Sequence, residues 1–320
     1  MMKITVYSFF ISVLVGTVLF LNCSSYEKVH VITYDDAFFL PDGNIGVVGW
    51  EYDADIPEGA WDSPEWSNIN QYFYSYNRQT RELTLLATLA EDVWALPAYP
   101  GACRLGNWVA YETVIDGNRT SAIGVFDLAQ GKIVATAGIE TGTSFLLQGI
   151  SQDGKYLFAE DGIAFNLSLN ANKLEVSRSF PFYINGDSLI FSFAYRPFSP
   201  SLDTAWLTTK NLNSGNLDTI QILPKWQMGR VTSDGKYLLC GISINSSGRG
   251  NPFMGIDLDS LMAGKFSFDT ITISNDSFTS KSDYNRNTGD FVFQNFGSIY
   301  LGNTASTEPE KIIAQLTTQR

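Results

Sequence analysis

The sequence predicts an all-β protein: a six-bladed β-propeller with four antiparallel strands per blade, preceded by an N-terminal export leader. Three observations predict it. Residues 151–158 (SQDGKYLF) and 232–239 (TSDGKYLL) are near-copies, each a tight polar turn feeding an apolar strand. Weaker copies of that turn bring the set to six, with glycines at 43, 106, 154, 186, 235 and 289. Six strand-ending Asn or Asp residues follow them, at 77, 127, 166, 211, 257 and 303, spaced 50, 39, 45, 46 and 46 apart. Four short strands recurring at roughly 45 residues are the signature of a propeller blade. Outside the N-terminus, no long stretch repeats its apolar residues at helical spacing.

The elements follow in order. Met1-Met2-Lys3 gives a short positive head, and residues 4–21 form an uncharged apolar run ending at Asn22-Cys23-Ser24-Ser25. A basic head on an apolar stretch reads as an export signal. A run of 18 residues is also just long enough to span a bilayer. Cys23 resembles the lipid-acceptor cysteine of bacterial lipoproteins. Here Phe20-Leu21-Asn22 stands where those proteins carry Leu, a small residue and Gly or Ala. The resemblance implies a leader over residues 1–22 and a lipid on Cys23 that tethers the body to the cell envelope, in the periplasm or at the outer surface. Plain secretion and an uncleaved anchor are the alternatives; all three place the body outside the cytoplasm.

Residues 28–320 then read as one propeller domain. Each unit begins with a glycine turn, where positive φ is cheap, followed by β-forming residues. A second apolar run closes on the Asn or Asp, whose side chain bonds its own downstream backbone and stops the strand. A fourth β-rich run completes the unit, as at 83–86, 133–135, 174–176, 219–222 and 270–273. For the strand that closes the ring, 29–34 and 311–316 both qualify. The Ser/Thr-x-Asp-Gly-Lys-Tyr-Leu turn resembles the repeat of TolB-like and other WD40-like bacterial propellers. Two of the six units match it closely, so the resemblance implies a fold rather than an activity.

Composition excludes several functions. The chain of 320 residues is 44% hydrophobic, 14% aromatic and only 17% charged, with net charge −12. A negative field without a basic stripe repels nucleic acid and anionic lipid. Beyond Cys23 only Cys103 and Cys240 remain, in units two and five. Those units lie opposite each other in a six-membered ring, beyond the about 7 Å a disulfide tolerates, and both cysteines read as small buried hydrophobes. A monomer or a member of a hetero-complex is expected.

Catalytic sets are largely missing. His30 is the one histidine, flanked by Val29 and Val31, and reads as structural. No zinc-type cysteine spacing, phosphate-cradling loop or nucleophile elbow is present, so no cofactor or metal is expected. Gly186-Asp187-Ser188-Leu189 spells the motif of the GDSL hydrolases, but no Asp-x-x-His follows near the C-terminus; it reads as a hairpin turn. Residues 283–290 approach a calcium loop, yet the glycine is one place late and no glutamate follows. A plain turn is expected there too.

Function is left to the loops at the two faces. The widest spacing between turns marks an insertion at 51–66, with Tyr52, Trp61, Trp66 and six acids, Asp53, Asp55, Asp62 and Glu65 among them. Long loops are often functional. Indole faces beside carboxylates suit sugars or a cationic peptide. Trp94 and Tyr99 define a second aromatic loop at 92–100, and residues 245–252 a mildly basic third. The expected ligand is an envelope protein or glycan. A carbohydrate-active hydrolase or lyase using the loop carboxylates, and a scaffold subunit of an envelope assembly, are the alternatives.

Overall fold

In the computed structural model, the described residues form twenty-five strands. Those residues are 26–319 except 58–63, 94–95, 97–100, 116–119, 139–146, 152–155, 160–162, 167–171, 176–179, 186–188, 196–203, 212–213, 215, 225, 228–230, 243–252, 263–264, 266, 272–281 and 307. Among the described residues the strands form six sheets, taken in order along the chain.

The first sheet joins β1 (Tyr26–Phe39), β2 (Ile45–Pro57), β3 (Glu65–Tyr76) and β4 (Leu83–Val93). The second holds β5 (Ala102–Leu105), β6 (Trp108–Ile115), β7 (Thr120–Asp127) and β8 (Lys132–Gly138). The third holds β9 (Leu147–Ile150), β10 (Tyr156–Ala159), β11 (Ile163–Asn166) and β12 (Asn172–Glu175). The fourth holds β13 (Phe180–Asn185), β14 (Leu189–Tyr195), β15 (Thr204–Asn211) and β16 (Leu217–Pro224). The fifth holds β17 (Trp226–Gln227), β18 (Tyr237–Ile242), β19 (Phe253–Asp257) and β20 (Phe268–Ile271). One turn of helix, α1 (Leu258–Met262), interrupts it, capped by Asp257 Oδ1 accepting from Ser260 N at 2.8 Å. The sixth holds β21 (Ser282–Asn285), β22 (Asp290–Asn295), β23 (Ser298–Asn303) and β24 (Glu310–Ile313). The last strand, β25 (Leu316–Gln319), returns to pair with β1 from Val29↔Gln319 to Ile32↔Leu316. Both candidate closing segments are thus used: 310–313 completes the sixth sheet, and 29–32 receives β25.

The turn chemistry is as the repeat demands. Gly43, Gly106, Gly235 and Gly289 have φ of 83°, 59°, 74° and 71°; Gly154 and Gly186 lie outside the described residues. Asn77 Oδ1 accepts from Gln79 N at 2.8 Å, Asp127 Oδ1 from Ala129 N at 2.8 Å, and Asn303 Oδ1 from Ala305 N at 2.8 Å. Strands β3, β7, β11, β15, β19 and β23 end at or one residue before the six predicted positions. The stretch 283–290 is the β21–β22 hairpin, and Asn185↔Leu189 pairing makes 185–189 a hairpin as well. Ser188 itself lies outside the described residues.

Apolar side chains from adjacent sheets interdigitate. Phe39, Ile45 and Val47 of the first sheet pack on Val292, Ile299 and Ile313 of the sixth. On the other side Phe38, Val48 and Phe73 pack on Ala102, Val109, Tyr111 and Phe126 of the second. Each such burial removes a large side chain from water and is worth about 1.5–3 kcal/mol. Leu239 of the fifth sheet packs on Tyr284, Phe291 and Phe293 of the sixth. Strand contacts also link the second sheet to the third, and the third to the fourth.

Buried carboxylates stitch the sheets further. Asp283 Oδ1 accepts from Ser233 N at 3.0 Å and Tyr284 N at 2.9 Å, and its Oδ2 from Phe39 N at 2.8 Å. Three sheets meet on that one side chain. Asp36 Oδ2 accepts from Ala102 N at 3.1 Å, joining the first sheet to the second. At the glycine-turn end, Gly106 N donates to Ser233 O at 3.1 Å, so a turn of the second sheet meets the turn that leads into β18 of the fifth.

One expectation is corrected. Residues 51–57 and 65–66 are not a loop insertion but extensions of β2 and β3, in register through Ala54↔Trp66 and Asp55↔Glu65. The strands of the first sheet are 14, 13, 12 and 11 residues long, against eight or fewer elsewhere. The acids alternate with Tyr52, Ala54 and Ile56, and period-two alternation is what a strand requires. Residues 58–63 lie outside the described residues.

Candidate functional site

The long end of the first sheet is where the predicted binding residues gather. Alternation along β1, β2 and β3 sorts them onto two faces. The face on the sixth sheet's side carries Glu51, Asp53 and Asp55, in line with core residues Ile45 and Val47. The face on the second sheet's side carries Tyr52, Ala54 and Ile56.

On the acidic face, His30 stands opposite Asp53 in the β1–β2 register. Its Nδ1 lies 2.9 Å from Asp53 Oδ1, and its Nε2 lies 3.2 Å from Glu51 Oε1. Asn68 Nδ2 donates to Asp53 Oδ2 at 2.7 Å. Asn68 sits at φ 51° where the β2–β3 register slips between Glu51 and Asp53, and that slip turns its amide onto the carboxylate. Asn70 donates to Asn68 O at 3.1 Å and accepts from Asp92 N at 2.9 Å. Lys28 Nζ reaches Asp55 Oδ2 at 3.6 Å near the tip. The imidazole thus ties β1 to β2 with both ring nitrogens engaged, and its role in the sheet is structural.

Further from the tip, opposite Gly49 and Val47, the same face holds Tyr34, Tyr72 and Tyr74. Ring centroids are 6.4 Å apart for Tyr34–Tyr74 and 5.8 Å for Tyr72–Tyr74. Burial pushes all three phenols above their ordinary value, and the Glu51 carboxylate adds to the rise. They stay protonated as hydrogen-bond donors beside an acid. At the edge of β1, the β22–β23 turn presents Phe296, 89% exposed. Phe296 and Gly297 have φ of 46° and 69°, the two left-handed residues of a tight hairpin. Gly297 O accepts from Tyr34 N at 3.1 Å, which seats this turn against β1.

The opposite face is apolar. Tyr52 and Trp66 lie 6.3 Å apart, centroid to centroid, over buried Val29, Val31 and Ala54. Trp50, Ile69, Val93 and Val114 continue it inward, with Leu96 packed against them. Trp66 and Ile56 remain 45% and 39% exposed.

The sheet therefore separates residues that the sequence places side by side. Tyr52 and Trp66 share one face; Asp53, Asp55 and Glu65 share the other. Trp61, Asp62, Trp94, Tyr99 and Cys23 lie outside the described residues. Sequence reasoning missed Glu51, Asn68, Tyr72 and Phe296. A signal existed for Phe296: Phe-Gly occupies a two-residue hairpin where Asn-Gly is the usual choice. A separate pocket of about 350 Å³, lined by Leu40, Asp42, Ser75, Leu86, Asn107 and Leu128, lies at the glycine-turn end between the first two sheets. Among the described residues no three His, Cys, Asp or Glu side chains are arranged to hold a metal ion. No described helix is long and apolar enough to cross a membrane.

The class these features define is an all-β protein of successive antiparallel sheets, one of five strands and five of four among the described residues. Solved structures similar to this chain include TolB from Acinetobacter baumannii (10% identity, TM-score 0.39), with 76% of this chain and 63% of that one covered. The β-propeller domain of the Trilobed protease from Pyrococcus furiosus is similar at 13% identity and TM-score 0.45, over 89% and 86%. An oligogalacturonate lyase from Vibrio parahaemolyticus is similar at 11% identity and TM-score 0.44, over 90% and 78%. The alignment thus spans less than two thirds of the TolB chain. No family model and no curated protein matches the sequence.

Proposed function

We propose that this chain is a six-bladed β-propeller, held outside the cytoplasm by a lipid on Cys23, that captures an envelope protein through the long end of its first sheet. One observation carries the reading: the sheet outgrows its neighbours and sorts Glu51, Asp53, Asp55 and Glu65 onto a single face. The protonated tyrosines Tyr34, Tyr72 and Tyr74 share that face, and the turn bearing exposed Phe296 is bonded to Tyr34 N at the edge of β1. Clustered carboxylates beside an exposed ring suit a cationic segment with an apolar residue. The six sheets, with contacts running first to second, second to third, third to fourth, fifth to sixth and sixth to first, support the six-bladed reading.

The test uses an oligolysine peptide as probe. Asp55→Asn with Glu65→Gln is expected to weaken its binding several-fold at low salt, and raising the salt weakens binding to the parent chain. Equal affinity before and after the double substitution sinks the reading. A stoichiometric partner that co-purifies and survives the substitution favours the scaffold role instead.

A second reading, a carbohydrate-active enzyme, draws on the Glu51 and Asp53 carboxylates bracketing His30. An imidazole bridge holds such a pair within the roughly 5–10 Å range of glycosidase carboxylates. Glu51→Gln then abolishes release of reducing ends from a polysaccharide. A parent chain that releases none removes this reading.

A further inference from the structure

We propose that the apolar face at the tip of the first sheet, centred on Ile56 and Trp66, rests in the headgroup region of the membrane to which Cys23 is tethered. The inference builds on the lipid anchor proposed above. Strand β1 begins at Tyr26, paired with Pro57 at the tip, and Glu27 pairs with Ile56. Cys23 and Tyr26 are three steps apart along the chain, with Ser24 and Ser25 between them. At the reach of an extended chain those steps span at most about 11 Å. A lipid on Cys23 therefore keeps this tip within about that distance of the bilayer surface.

The tip is built for such a boundary. Ile56 and Trp66 are 39% and 45% exposed, on one face of an antiparallel pair, with Tyr52 beside the indole. Tryptophan and tyrosine favour the membrane interface because an apolar ring carries one polar edge. The other face of the same strands carries Asp53, Asp55, Glu65 and Lys28, which remain in water. An amphipathic ribbon lying on its apolar side buries Ile56 and Trp66 while leaving the acidic face outward for its ligand. The acids and the net charge of −12 select a zwitterionic surface over an anionic one. The two faces then divide the work: one sits on lipid, the other looks away from it.

The experiment uses the full lipoprotein, reconstituted into phosphatidylcholine vesicles whose acyl chains carry bromine near the headgroup. Bromine quenches an indole only on close approach. Trp66 is one of seven tryptophans, so a partial loss of emission is expected, and Trp66→Phe removes most of that loss. Ile56→Asp reduces it as well, with the circular dichroism of both variants unchanged. Equal quenching in the parent and Trp66→Phe overturns the proposal. So does an absence of quenching, including the case where soluble glycan fragments, rather than lipid, change the Trp66 emission. Palmitate labelling separates the two ideas. Label lost in Cys23→Ser with no quenching at Trp66 rejects the docking alone; no label in the parent rejects the anchor and the docking with it.

Discussion

Single residues show how a mainly apolar assembly fixes its angles. Asp283 accepts three backbone N–H groups from three sheets. Removing it orphans buried donors, each of which costs about 1–3 kcal/mol. Asp283→Ala should therefore lower stability by about 3 kcal/mol, read from the midpoint of chemical denaturation. The sequence shows an acid at the head of a hairpin, but not its inward direction or its bond to a residue 244 positions away. The strand-ending Asn77, Asp127, Asp257 and Asn303 are different: their bonds run two or three residues downstream, so spacing alone revealed them. Tyr34, Tyr72 and Tyr74 add a pH prediction. Their folded-state values lie above the ordinary phenol value, because burial and Glu51 oppose ionisation. Their contribution to stability is whole below about pH 10 and fades as pH climbs through the raised values. Absorbance titration near 295 nm should show these phenolates forming late, together with unfolding.

Elements carry the second set of consequences. The β22–β23 turn places Phe296 at a left-handed position that Asn fills at lower cost. Phe296→Asn should raise stability by about 1 kcal/mol and weaken ligand capture, measured by thermal melts and peptide binding. A strained, exposed ring kept at a strand junction is what a contact residue looks like. Between the first and sixth sheets, Arg78 bonds Asp290 at 2.7 Å, with Asn303 adding a second bond at 2.7 Å. Burial alone raises the Asp290 carboxyl, yet the bonds from Asn303, Thr288 and Arg78 outweigh it and leave it lowered. A lowered acid stabilises above its unfolded value near pH 4 and loses that stabilisation as pH falls through the folded one. Asp290→Asn should thus flatten the acid limb of the stability curve. The extended β2–β3 hairpin was legible in part. Its period-two alternation stood in the sequence, but the density of acids made it look like a loop.

At the scale of the molecule, the repeat set the number of sheets and their strand order, and both could be read from glycine and Asn/Asp spacing. The contacts between sheets could not, since they depend on side chains that meet across the whole chain length. The pairing of β25 with β1 is the clearest case: two equally plausible segments turned out to serve two different sheets. Deleting residues 315–320 should unpair Val29–Ile32 and expose a strand edge. The expected result is a lower melting temperature and a greater tendency to self-associate, seen by calorimetry and light scattering. The bond from Gly106 to Ser233 has a wider implication. If the six sheets close into the ring proposed above, the second and fifth stand opposed, and the turns that meet at this bond would narrow one mouth. A ligand of that proposed ring would then come and go by the opposite mouth, on the side of the β22–β23 turn that carries Phe296.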